Sequence, residues 1–314
     1  MIKLACTHPN PVKNGKTKAG KTRLRCKKCG KSWTEEKNPL GTLRTDIDKA
    51  AMALSMICEG CSIRSVSRIT GLDKATITRI VVLVGKNVLA YCEKTFIDLN
   101  CYDVQVDEVW GFTGCKQKIA KHKKKGPEFG DQYMFTAIDR ESKLLACWDF
   151  GKRDMDTACG FMRKLRMTVA GTIHLSTDGF PSFYQAVKRA FGADGVHYGQ
   201  IVKIIQTQYS ERAASRRYSP GSIKEVRKAG VFGHPTLKQV CTSHIDNWNL
   251  QLRMGCRRMT RLTNAFSKKR ENHFAALSLW VGHYNFIRKH GALKTTPAVK
   301  AGLANKALSM REFI

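Results

Sequence analysis

From residue 101 onward the spacing of the apolar residues changes several times, and the order of those changes restricts the fold more than any other feature. Residues 102–110 alternate with the two-residue period of a strand. Residues 133–138 and 144–150 read as a hairpin around Asp139, Arg140, Glu141 and Ser142. Helices are expected over 156–166 and 182–191, strands over 172–176 and 200–206, and a long helix over 267–289. Between the last strand and that helix lies a basic, irregular stretch, about 207–262, read as an insertion or a further helical segment. Strand, hairpin, helix, strand, helix, strand, helix is an α/β order. It gives a mixed sheet with its first strand in the middle and the fourth beside it. A chain of 314 residues has room for this domain, taken as 100–314, plus one or two small ones.

The same order is that of an RNase H-like fold, in which the first and fourth strands bring their side chains together. Asp107 lies in the first strand amid Val104, Val106 and Val109. Aspartate is depleted in strand interiors, so either an exposed edge or a chemical role must account for it. Asp178 directly follows the fourth strand and would come beside Asp107, although Asp178-Gly179 also suits a turn before Pro181. Glu108 is expected to face the other side of the sheet. The third acid is sought on the last helix, where Phe274, Leu277, Val281 and Tyr284 form an apolar stripe and Glu271 lies three residues before Phe274. An acid favoured in a first turn by the helix dipole would look the same. Asp246 is held in reserve. Asp107, Asp178 and Glu271 would suit magnesium or manganese, hard cations that take oxygen ligands, and two such ions serve phosphoryl transfer.

Fifty-five basic residues stand against 25 acidic ones, a formal charge of +30. Self-repulsion on that scale calls for a polyanionic partner; ribosomal or heparin-like binding would give the same sign, and nucleic acid is the expected one. No run of about 18 uncharged apolar residues suggests a membrane span, and the N-terminus lacks the apolar core of a signal peptide. A cytoplasmic chain is expected, with its 12 cysteines as thiols or metal ligands. Residues 1–40 are too poor in apolar residues to form a core alone. Cys6, His8, Cys26 and Cys29 would supply the four ligands of a zinc ribbon; a basic tail with two incidental thiols is the alternative. Residues 44–92 read as three helices, the last two joined by a turn at Gly71, as in a helix-turn-helix domain. Lys74, Thr76, Thr78 and Arg79, at the start of the last of these, are then the candidates for DNA contact.

Several segments resemble one family. Asn14-Gly15-Lys16-Thr17 with Cys26, Cys29 and Trp33, and Gly60-Cys61-Ser62-Ile63-Arg64 with Ile69-Thr70-Gly71, are similar to the zinc ribbon and helix-turn-helix of bacterial insertion-sequence transposases of the IS-one type. Asp107-Glu108-Val109-Trp110 and Ser176-Thr177-Asp178 look like that family's first two acids. Residues 243–250 and 266–273 resemble its C-terminal part, where a glutamate is followed two places later by histidine. The resemblance implies a DDE enzyme that cleaves element ends and transfers the 3′ hydroxyl to target DNA. It makes Asp107, Asp178 and Glu271 the triad, His273 an accessory group, and a homo-oligomer the assembly that holds two ends. Residues 284–290 with 296–298 look more like other DDE groups, which keeps Asn285 open as a substitute acid position. A non-enzymatic DNA-binding regulator and a junction-resolving nuclease of the same fold remain as alternatives.

Overall fold

The computed structural model describes residues 8, 10–18, 20, 22–34, 38–192, 194–206, 222–261 and 264–314. It divides into two compact units, Met1–Thr45 and Asp46–Ile314. In the first, β1 (Val12–Lys16), β2 (Thr22–Arg25) and β3 (Ser32–Thr34) form an antiparallel sheet in that order. The tight turn between β2 and β3 presents Cys26 and Cys29, closed by the Gly30 amide donating to the Cys26 carbonyl at 2.9 Å.

The second unit opens with α1 (Ile47–Cys58), α2 (Ile63–Thr70) and α3 (Lys74–Thr95). Each start is capped by a short polar side chain. Asp46 accepts from the Lys49 amide, Ser62 from Ser65 and Asp73 from Ala75. Gly71, at φ +68°, ends α2 in the left-handed conformation that costs glycine nothing. α3 is long and apolar enough by composition to match a membrane span. Its buried side, from Ile77 through Val84 to Val88, is covered by protein.

The main sheet has six strands in the order β6-β5-β4-β7-β8-β9. These are β4 (Asp103–Thr113), β5 (Gly130–Asp139), β6 (Leu145–Gly151), β7 (Ile173–Asp178), β8 (Val196–Gln206) and β9 (Ser222–Phe232). β4, β7 and β8 run parallel, while the other neighbours are antiparallel. This mixed sheet, with its first strand central, fits an RNase H-like domain. A short helix, α4 (Gln117–His122), follows β4. α5 (Met155–Thr168) and α6 (Pro181–Phe191) cover one face, where Phe135 of β5 meets Phe161 and Phe183. α7 (Ser243–Gly255) and α8 (Arg270–Gly282) cover the other; there Trp148 of β6 donates to the Ser278 hydroxyl at 3.1 Å. α8 also lies against α3, so closely that a Cβ on Gly85 would overlap the Ala275 carbonyl.

Two expectations need correcting. Residues 207–262 are not irregular throughout: of that stretch 207–221 and 262 lie outside the described residues, and the remainder supplies β9 and α7. The helix expected over 267–289 ends at Gly282 and passes into a π-helical turn, His283–Ile287. In that turn the buried Asn285 grips the edge strand. Its side chain accepts from the Leu145 amide and donates to the Leu145 carbonyl, both at 3.0 Å. Asn285 is therefore a structural clamp, not an acid substitute.

Candidate active site

Because side chains alternate along a strand, Gln105 and Asp107 share one face of β4, as Ser176 and Asp178 share one face of β7. The parallel register pairs Gln105 with Ser176 and Val106 with Thr177, so the two aspartates come next, side by side. The pair two residues earlier anchors a third element. The Ser176 hydroxyl accepts from the Cys241 amide at 3.3 Å, and Gln105 Oε1 accepts from the amides of His244 and Ile245 at 3.0 and 3.2 Å. The amides of His244 and Ile245 belong to the first turn of α7, which has no side-chain cap of its own, and Cys241 directly precedes its cap residue. Fixed there, α7 runs across the aspartates, and Asn249 Nδ2 donates to Asp107 Oδ2 at 2.6 Å.

Glu108 is directed by the strand to the other face, as expected, yet its carboxylate joins the cluster. Oxygens of Asp107, Glu108 and Asp178 lie within 4.8 Å of one another. The face rule constrains a side chain only where a neighbouring strand continues, and β7 ends at Asp178. The longer glutamate chain turns round that end. Arg153 donates to Glu108 Oε1 at 2.6 Å and lies over the Phe180 ring, while Glu108 Oε2 is buried with no partner among the described residues.

Three carboxylates at this spacing resist ionisation. Burial first, then the charge of Asp178, pushes Asp107 up to about 7. The same two causes push Glu108 up to about 8, and burial raises Asp178 although the Phe180 amide holds its carboxylate at 3.0 Å. The cluster is thus short of positive charge, and its donors are all hard oxygens of the kind divalent magnesium or manganese takes. Asp246 stands on the α7 rim, with Lys203 of β8 at 2.7 Å. Its charge also reaches Asp107 and Asp178.

Glu271 is not part of this cluster, against expectation. It sits in the first turn of α8, more than half exposed, with Lys86 of α3 at 3.7 Å. The reason is rotational. Ala275, four residues on, faces Gly85 of α3, so Glu271 lies on the α3 side of the helix. The sheet-facing side carries Phe274, stacked on Phe150, and Ser278. His273 also departs from its expected place. It is fully buried between the Phe150 ring and Thr113, whose hydroxyl lies 3.2 Å from Nδ1, and burial pushes it down to about 3. A histidine so placed is a neutral core residue.

Elsewhere, ligand atoms of His8, Cys26 and Cys29 come within 4.8 Å of one another. Cys6 lies outside the described residues. Hydrogen bonding, from His8 first, pulls the Cys26 thiol down to about 6. At the start of α3, Lys74 and Arg79 are exposed and Thr76 is half-buried, while the Thr78 hydroxyl donates back to the Lys74 carbonyl at 2.8 Å.

Residues 129–230 match a family model described as a DDE domain, of the IS240 transposase type. The matched segment contains Asp178 but neither Asp107 nor either candidate third acid. No curated protein matches the chain. DDE domains of transposases use divalent metals and handle nucleic acid, and the acidic cluster offers such a site. The finer likeness to the IS-one type rests on the quoted motifs alone. With the order of the sheet and the place of Asp178 in it, the match makes residues 129–230 similar to the DDE domain of insertion-sequence transposases.

Proposed function

We propose that the chain cuts the ends of its element and joins the freed 3′ hydroxyl to target DNA, with Asp107, Asp178 and Asp246 as the three acids that hold two divalent ions. The observation that carries this reading is the convergence of half-buried carboxylates, each pushed toward its protonated form, where β7 ends beside the middle of β4. Asp246 replaces Glu271 as third acid because α7, not α8, crosses the aspartates. It is preferred to Glu108 on access. The Asp246 side chain is 44% exposed, so its lysine partner can give way to an ion; Glu108 is 5% exposed and held by Arg153.

When bound, such ions activate the attacking hydroxyl and steady the leaving oxygen. The protein's own groups set the geometry for this. Asn249 fixes the Asp107 carboxylate and the Phe180 amide fixes that of Asp178. Lys203, once displaced from Asp246, stands where it can meet a phosphate oxygen as charge builds there. Arg253, one α7 turn beyond Asn249, donates to the carbonyls of Met259 and Trp110 and braces the helix against β4.

The terminal modules complete the reading. His8, Cys26 and Cys29, with Cys6 as fourth ligand, would hold a structural zinc in residues 1–40, since such sites take four ligands. α2 and α3 would act as the helix-turn-helix of a domain over 44–92, with Lys74, Thr76, Thr78 and Arg79 toward double-stranded DNA. Joining two ends requires more than one catalytic unit, so a homo-oligomer acting in the cytoplasm is part of the proposal.

The test is nicking of labelled element-end duplexes in magnesium or manganese, with manganese titrated in parallel by calorimetry. Wild-type protein should nick and bind manganese, and Asp107→Asn should do neither while still binding the duplex. A folded wild-type protein that binds the ends but never cuts them would leave the non-enzymatic regulator as the correct reading. Cutting of branched junctions without joining would favour the resolving nuclease.

A further inference from the structure

A groove of about 790 Å³ runs between the α1–α3 helices and the segment that joins α7 to α8. Six cations line it and no acid does: Arg64 of α2, Lys74 of α3, and Arg257, Arg258, Lys268 and Lys269 of the joining segment. Among the described residues none of the six has a carboxylate within ion-pair distance. Such a gathering is costly unless something opposes it, because like charges along one channel repel. Arg258 makes the point most sharply. It is half-buried, and among the described residues its one side-chain hydrogen bond is to the Ser267 hydroxyl at 2.8 Å. Desolvation lowers its affinity for the proton, yet a guanidinium remains charged near neutrality. The floor, with Ala276, Leu279 and Trp280 of α8, is apolar and flat in charge.

We infer that this groove holds the phosphodiester backbone of duplex DNA, as a second DNA contact distinct from the exposed face of α3 that carries Arg79. The inference rests on the transposase reading and deepens it. Arg64 and Lys74 come from the helix pair proposed to read sequence, and Lys268 and Lys269 directly precede α8. A backbone lying here would bind both parts of one rigid unit, because α3 and α8 are packed without room for a single added carbon at Gly85. The groove would then fix the register between the sequence that is read and the bond that is cut.

Salt dependence tests this directly. Each neutralised phosphate contributes about 0.9 to the slope of log K against log salt. On a random-sequence duplex, in an Asp107→Asn background that prevents cutting, replacing Arg257, Lys268 and Lys269 by alanine should reduce that slope by roughly 2 to 3. The same three changes made at the exposed lysines Lys123, Lys124 and Lys125 should reduce it by less than about 1. Acetylation of the wild-type protein supplies a readout that needs no variant: Lys268 and Lys269 should be protected by duplex, and Lys123 to Lys125 should not. An unchanged slope in the groove variant, equal losses in both variants, or full acetylation of the groove lysines in the complex would overturn the inference. Metal-dependent nicking by wild-type protein would survive any of these results, so the two readings fail separately.

Discussion

α7 and α8 are both 13 residues long, both lie on the same face of the sheet, and each carries an acid in its first turn. They differ in what surrounds them. α7 buries four residues and leaves its polar edge, with Asn249, at Asp107. α8 buries nine, because it is enclosed between the sheet and α3. A helix enclosed on two sides shows no single apolar stripe, so its sequence cannot say which side faces the sheet. A helix with one covered side can. On the proposed reading the third acid belongs to the helix whose start is tied to β4 and β7, and Gln105 and Ser176 tie down α7.

The sharpest way to break this comparison is to neutralise one acid on each helix. Asp246→Asn should lower magnesium-dependent nicking by roughly 10³-fold, the scale of losing one preorganised charge at a reacting phosphate. Glu271→Gln should leave the rate unchanged. Single-turnover cleavage of a labelled element end measures both. The reverse outcome would return the third acid to α8 and remove the basis for the α7 assignment.

This pattern also explains how much could be read beforehand. The strand order was legible because β4, β5, β6, β7 and β8 are short, largely apolar runs separated by turn residues. Asp107 and Asp178 were legible because aspartate is anomalous in or just after a buried strand. Glu108 was excluded by a face rule that lapses where β7 stops. α7 was lost in a basic stretch, although the signal was present. Ile245, Trp248 and Leu252 recur at helical spacing, and Asp246, Asn249 and Arg253 each follow one of them, forming a second stripe about 100° round the helix. Glu271 misled because Phe274 and Ala275 both belong to a buried helix but face different partners.

The enclosure of α8 can itself be tested at Gly85. A methyl group there meets the Ala275 backbone, which cannot swing aside as a side chain can. Gly85→Ala should cost roughly 1–3 kcal/mol, as overpacking usually does, and lower the melting temperature of the Asp46–Ile314 unit. It should not touch the acids, so residual folded protein should bind manganese normally. A variant as stable as wild type would mean that α3 and α8 are not locked together, and the register argument for the basic groove would weaken with it.

His273 sharpens the comparison from the core side of α8. Its pKa is near 3 in the fold and near 6.5 when unfolded. Between those values the unfolded chain binds a proton that the folded chain does not, so stability falls as pH is lowered through this window. The slope from this one group is about 1.4 kcal/mol per pH unit. Thermal melts from pH 7 to pH 4 should therefore be steeper for wild type than for His273→Gln, which cannot titrate. An accessory catalytic histidine would behave otherwise: the variant would lose cleavage at pH 7 with an unchanged acid limb.

The smallest effect expected is at the pair that replaced the supposed metal contact. Lys86 and Glu271 are 3.7 Å apart, with 58% and 59% of their side chains exposed. Water screens such a pair, and ordering two long side chains offsets part of its attraction, so its net contribution should be below about 1 kcal/mol. Lys86→Met should barely shift the melting temperature in moderate salt. If Glu271 were instead a metal ligand, the same change would remove a competing cation from beside it and raise manganese affinity. Calorimetry on Lys86→Met thus distinguishes the two positions of the acid with a variant that leaves every carboxylate in place, and an unaltered manganese isotherm is the result that α7's claim requires.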